Sequence, residues 1–268
     1  TAVSLEGEIL WQEKIGPFSS KHGYGASPCI YKSAVIVAAD HLGEGYIAAL
    51  DRGTGEILWR KARLGGASFA TPVVAQLAGK DQLVLSGQDR VVSYDPATGE
   101  EIWSCAGSAD STANTPAWND THVFATGGWH QKGILAIRAD GSGDVTDTHI
   151  DWEINGMKVY VPSPVVAGDI LLAARDDGIV VGANVENGDI YWKKRLKRGI
   201  GISASPTLVY VRSPKDDTYG EELDMLAYLP NEAGEIFVFR PHEEFDHVAT
   251  NDMGEPIYAS PVIVDGRI

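Results

Sequence analysis

Three stretches carry side chains of a type and spacing that suggest chemistry. Asp140, Ser142 and Asp144 offer oxygens at alternate positions, as a calcium loop does. The sixth position of such a loop needs glycine for a sharp turn and the twelfth a bidentate glutamate; here they are Val145 and Asp151, so an elongated hairpin is expected instead. His242 and His247 enclose acidic residues in HEEFDH, but they stand five apart, whereas two zinc ligands on one helix face stand four apart. A solvated acidic hairpin fits better. Lys193, Lys194, Arg195, Lys197 and Arg198 form a basic run of the kind that attracts anions or nucleic acid. It follows Trp192 on what the pattern makes an outermost strand, where charge keeps an exposed edge from pairing with other chains. Phosphate-loop and Gly-x-Ser-x-Gly patterns are absent, and no Cys–His pair has local catalytic context. Cys29 and Cys105 lie in different repeats and are expected as buried free thiols.

The elements that must position any such chemistry repeat. LDRGTGEILW ends at Trp59, YDPATGEEIW at Trp103 and ANVENGDIYW at Trp192; a shortened copy ends at Trp11 and a reworked one at Trp152. In the three full copies Asp51, Asp95 or Asn184 can accept backbone N–H groups of the following turn. Gly55, Gly99 or Gly188 then supplies a positive φ, which is a hairpin signal. The strand after each glycine is expected to alternate, with Ile57, Glu101 or Ile190 on the side of the tryptophan two residues later. Successive tryptophans are 48, 44, 49 and 40 residues apart, the spacing of propeller blades. A Ser/Thr-Pro pair recurs in step at Ser27, Thr71, Thr115, Ser163, Ser205 and Ser260. The repeat at Ser163 shows four strands, over 164–167, 170–175, 179–184 and 190–195.

The runs KHGYGASP, YDPATGEEIW, AIRADGSGDVTDTH, YVPSPVV and NDMGEPIYASPVI resemble the PQQ-like repeat β-propellers. That group includes the quinoprotein alcohol dehydrogenase-like superfamily and the BamB-like bacterial propellers, and the resemblance covers essentially the whole chain. It implies an all-β fold of four-stranded antiparallel blades in one domain over residues 1–268. We expect a partial blade over 1–15, blades over 25–62, 69–105, 113–154, 161–194 and 203–248, and the start of another over 257–268. If the two ends completed each other the ring would have six blades; the resemblance implies a fragment of an eight-bladed one. It also implies that Trp11, Trp59, Trp103, Trp152 and Trp192 dock each blade against its neighbour, since large aromatics at one repeated strand position suit architecture better than a ligand.

Up-and-down strand order sorts the loops into two ends. The short Thr-Gly hairpins fall at one end. The varied loops and blade crossings fall at the other, where rigid scaffolds tend to display function. On that face the expected contacts are His41, Arg90, Trp129, His130, Arg175 and Asp177. At the funnel mouth, just before the Ser/Thr-Pro pairs, His22, Tyr24, Asn114, Lys158, Tyr160 and Tyr258 offer aromatic and polar groups for a polar or glycan-like ligand.

With 22 basic and 37 acidic residues the chain carries a formal charge of −15, which opposes binding to nucleic acid or an anionic membrane. No apolar run is long enough to span a bilayer, and no signal peptide occurs in these residues. Architecture marked throughout, beside absent catalytic motifs, points to a non-catalytic scaffold for a protein partner or an extended polar ligand. The resemblance places it in the periplasm or cell envelope, with no cofactor. The same resemblance also admits a dehydrogenase, with PQQ and calcium in the funnel and an aspartate as base, although the adjacent cysteine pair of many such enzymes is missing. A sensor module of a larger protein is the third reading.

Overall fold

The computed structural model describes all residues except 21, 67, 110, 128–132, 213–222 and 266. Strands β1 (Ala2–Val3) and β2 (Ile9–Trp11) form a short antiparallel ladder. The first full blade is β3 (Cys29–Tyr31), β4 (Ala34–Ala39), β5 (Tyr46–Asp51) and β6 (Ile57–Ala62). The second is β7 (Val73–Leu77), β8 (Lys80–Gly87), β9 (Arg90–Tyr94) and β10 (Glu101–Ala106). The third begins with β11 (Ala117–Trp118), β12 (His122–Thr126) and β13 (Ile134–Arg138). Then β14 (Gly143–Asp144) leaves it to lie parallel along the outer edge of β10, and β15 (Ile150–Ile154) completes it. The fourth is β16 (Val165–Ala167), β17 (Ile170–Ala174), β18 (Ile179–Asn184) and β19 (Ile190–Arg195). The fifth is β20 (Thr207–Arg212), β21 (Leu223–Pro230), β22 (Glu235–Pro241) and β23 (Phe245–Asp252). Each blade is a meander of antiparallel strands, as in a β-propeller.

The hairpins form for the reason their composition gives. Asp51 Oδ1 accepts the N–H groups of Gly53 (2.8 Å) and Thr54 (2.9 Å). Asp95 Oδ1 does the same for Ala97 and Thr98, and Asn184 Oδ1 for Glu186 and Asn187. The strand that follows departs from the expected alternation. In β2, β6, β10, β15 and β19 the register shifts just before the tryptophan: Ile57 faces Leu50 but Trp59 faces Ala49, and the same slip precedes Trp103, Trp152 and Trp192. Ile57, Glu101 and Ile190 therefore do not share the regular face of the tryptophan. A bulge adds local twist and re-aims the side chain after it, here toward the next blade.

The core lies between blades. One cluster joins Phe124, Ile134 and Trp152 to Leu171 and Val181, across the third and fourth blades; others join the first to the second, the second to the third and the fourth to the fifth. The Ser/Thr-Pro pairs tie these sheets along their inner strands. Ser27 N–H donates to Thr71 Oγ1 (3.0 Å), Thr115 to Ser163 Oγ (3.0 Å), Ser163 to Ser205 Oγ (2.8 Å) and Ser205 to Ser260 Oγ (2.9 Å). Each hydroxyl thus holds the preceding blade, while its proline, which has no N–H to satisfy, opens the inner strand.

Candidate functional site

Four of the five repeated indoles reach directly to the carbonyl that follows the third strand of the next blade: Trp11 to Arg52 O (2.9 Å), Trp59 to Pro96 O (3.2 Å), Trp152 to Val185 O (3.1 Å) and Trp192 to His242 O (2.9 Å). The hairpin glycines make room for three of these rings, since a Cβ on Gly55, Gly99 or Gly188 would stand 2.5–2.7 Å from the indole of Trp11, Trp59 or Trp152. Trp103 differs. Its Nε1 donates to Gln82 Oε1 (2.8 Å), which also accepts Ser93 Oγ (2.6 Å), and Gln82 Nε2 passes the link to Ala139 O (2.8 Å) of the third blade. Gln82 is wholly buried.

At the loop-rich end, β4 delivers Asp40 and His41 beside Arg63, which follows β6, and Tyr94 of β9. Arg63 Nε and Nη2 donate to the two oxygens of Asp40 (2.7 and 2.9 Å), and Nη1 donates to the Tyr94 hydroxyl (2.6 Å). Burial works against the guanidinium charge, but Asp40 and Tyr94 outweigh it and the pKa of Arg63 rises. This buried trio stitches the first blade to the second and leaves none of its charge free. His41 Nδ1 accepts the Gly43 N–H (2.9 Å), while its Nε2 is buried without a partner. Above it lies an aromatic group: Phe18 meets His41 edge-on at 5.5 Å and Tyr24 at 5.4 Å, and His22 meets Phe69 at 6.1 Å. Phe18, Tyr24, Leu42 and Leu64 are exposed. Burial, then the nearby Tyr46 and Asp40, push the Tyr24 hydroxyl pKa upward.

The six funnel-mouth residues sit at several blade crossings. His22 and Tyr24 belong to the aromatic group, whereas Lys158 and Tyr258 are exposed and Tyr160 is half-buried at later blade crossings. Asn114 is buried, and its Nδ2 braces the next crossing through Val159 O (3.0 Å) and Tyr160 O (3.1 Å), leaving only Oδ1 unpartnered. Among the described residues, no hydrogen bond or ring contact joins two of these six side chains to each other.

Of the loop-face residues, His41 is a correction, because it lies under Phe18 rather than at the surface. Arg90 pairs with Glu101 (3.1 Å), and Arg175 holds Asp177 through two bonds of 3.0 Å. Trp129 and His130 lie outside the described residues. Sequence reasoning missed Arg63, Tyr94, Gln82, Phe18 and Phe69. The one readable signal was Gln82, a polar residue opening the apolar run QLVL.

The calcium-like spacing does not converge. Asp144 Oδ1 caps Thr146 N–H (3.0 Å), while Asp140 faces His149 (3.6 Å) and Arg138 (3.7 Å). Among the described residues no three His, Cys, Asp or Glu side chains are grouped to hold a metal. A quinone with calcium would need free oxygen donors at the funnel. There Asp40 is engaged by Arg63 and Asp177 by Arg175, while Asp176 accepts backbone N–H groups and Asn114 Oδ1 is unpartnered. Burial pushes the thiols of Cys29 and Cys105 up to about 11, which makes them poor nucleophiles.

The sequence pattern of the family described as outer membrane protein assembly factor BamB matches residues 43–213. The chain belongs to this family. Its fold is similar to that of BamB from Moraxella catarrhalis, with TM-score 0.61 and 18% identity over 88% of this chain and 66% of that one. It is likewise similar to the quinohemoprotein alcohol dehydrogenase from Comamonas testosteroni, with TM-score 0.64 and 13% identity over 88% and 45% of the two chains. A europium-containing methanol dehydrogenase gives TM-score 0.57 and 14% identity over 90% and 63%. The chain thus spans 45% to 66% of the length of these structures. A sequence search of curated proteins gives no match. Among the described residues no helix is long and apolar enough to cross a membrane.

Proposed function

We propose that this BamB-family chain is a non-catalytic propeller scaffold of the cell envelope that presents its loop-rich face to a partner protein. The observation that carries the reading is the exposed group of Phe18, Tyr24, Leu42 and Leu64, set on a face where Asp40 and Asp177 are held by arginines. Such a face offers apolar contact area, which suits recognition of a partner. The role for which the family is named, outer-membrane protein assembly, supports a protein as the partner. The test is photo-crosslinking in the full-length protein, with the reactive group at Tyr24 or Arg175 on the loop face and at Glu186 or Glu243 on the hairpin face. Adducts from the loop-face positions are expected; adducts from the hairpin positions alone overturn the proposal.

The fold shared with quinohemoprotein alcohol dehydrogenase favours one alternative, a PQQ- and calcium-dependent enzyme. Calorimetric titration of PQQ with calcium into the full-length protein separates the two readings. Stoichiometric binding would establish the quinoprotein, and no heat of binding leaves the scaffold.

A further inference from the structure

The repeat offers an internal comparison between two neighbouring clefts. Between the second and third blades the chain fills the cleft with its own strand. β14 runs parallel to β10, setting Gly143 opposite Trp103 and Asp144 opposite Ser104. Val145 N–H donates to Ser104 O (2.9 Å), and Ala106 N–H to Thr146 Oγ1 (2.9 Å). Val145 is buried against Trp103, which is sealed to 0% exposure.

Between the first and second blades the equivalent place is open. By repeat position Trp59, Arg60 and Ala62 correspond to Trp103, Ser104 and Ala106. Among the described residues β6 pairs with β5 alone, so the outward N–H and C=O groups of Arg60 and Ala62 carry no strand. Trp59 is only partly buried. Beside β6 lies a cleft of about 420 Å³, lined by Lys61, Arg63 and Leu64 from the first blade and by Arg90, Tyr94 and Glu101 from the second. Lys61 is held by Glu100 and Arg90 by Glu101 in partly exposed ion pairs, which an incoming carboxylate can exchange at small cost. On β15 and β19 the equivalent tryptophans, Trp152 and Trp192, are already buried.

We infer that this cleft is a peptide-docking site, in which an extended segment of a partner protein adds parallel to β6. The segment carries an acidic residue followed by a β-branched apolar one, the pattern of Asp144-Val145 in the filled cleft. The apolar side chain covers Trp59, the carboxylate meets Lys61 or Arg90, and main-chain bonds to Arg60 and Ala62 supply the pairing. This site lies on the flank of the propeller and does not depend on what the loop face binds.

The probe is a labelled peptide copying residues 140–148, DGSGDVTDT, titrated into the full-length chain by fluorescence anisotropy. Saturable binding is expected, about tenfold weaker for Lys61→Glu. Loss of binding is expected for Ala62→Pro, which removes an outward N–H that β5 does not use. A peptide with the valine position changed to alanine should bind about tenfold more weakly as well. Should Ala62→Pro fail to fold by circular dichroism, Lys61→Glu and the alanine peptide still decide the matter. Absence of binding up to about 1 mM, or binding indifferent to Lys61→Glu and the alanine peptide, overturns the inference. So does light scattering that shows a dimer broken by Lys61→Glu, because the occupant would then be a second copy of the chain.

Discussion

At the scale of single residues, Gln82 concentrates the most consequence. Its amide joins Trp103, Ser93, Leu77 O and Ala139 O inside a closed interface, so each of four partners loses its bond when the amide is removed. Gln82→Met, which conserves shape, should cost about 3 kcal/mol or more, measured by urea unfolding. Asp176 works in the opposite direction. Burial raises its pKa against the lowering effect of the Val161 and Tyr160 N–H groups, so the folded state binds its proton more tightly than the unfolded chain does. The penalty is therefore complete at neutral pH. It fades as pH falls through the raised folded value toward the unfolded value of about 3.9. Asp176→Asn, whose Oδ1 can keep the Val161 bond, should raise the unfolding midpoint at pH 7, with the gain vanishing near pH 4 (about the unfolded value). A gain that instead grew toward pH 4 would contradict this assignment. Neither role could be read from the sequence, because both arise from a partner 57 or 15 residues away and from burial that only packing decides.

At the scale of elements, the Ser/Thr-Pro pair is a fastener with two separable parts, the hydroxyl that accepts and the proline that starts the strand. Ser205→Ala removes the acceptor of the partly buried Ser163 N–H and should cost about 1 kcal/mol. Ser27→Ala is the matched control: among the described residues nothing donates to its hydroxyl, and a change within about 0.5 kcal/mol is expected. Equal losses in thermal or urea unfolding would assign the effect to strand propensity instead. The strands themselves were legible. The repeat at Ser163 has β17 at Ile170–Ala174, β18 at Ile179–Asn184 and β19 at Ile190–Arg195, within a residue of the alternation in the sequence. The bulge before each tryptophan was not legible, since no glycine marks it and it shows only as a slip against the neighbouring strand. The departure of β14 was equally hidden: its residues look like an over-long hairpin until Ser104 and Ala106 are seen to receive them.

At the scale of the whole molecule, period and markers sufficed for the fold because a propeller repeats its local instructions blade after blade. The candidate site was far less legible. His22 and Tyr24 meet Phe69 and Phe18, and Asn114 and His41 are buried against the next crossing and against Phe18, contacts that strand order does not encode. One regularity links all three scales. Every interblade indole bond points the same way: the donor sits in the earlier blade and the acceptor, direct or through Gln82, in the later. The hydroxyl fasteners obey the same polarity. On a ribosome, where the earlier blade emerges first, each new blade therefore arrives carrying the acceptors that its predecessor's waiting N–H groups require. Translation order and bond order coincide, so a nascent chain closes its interfaces progressively, and a stall leaves exposed donors only at the last blade made.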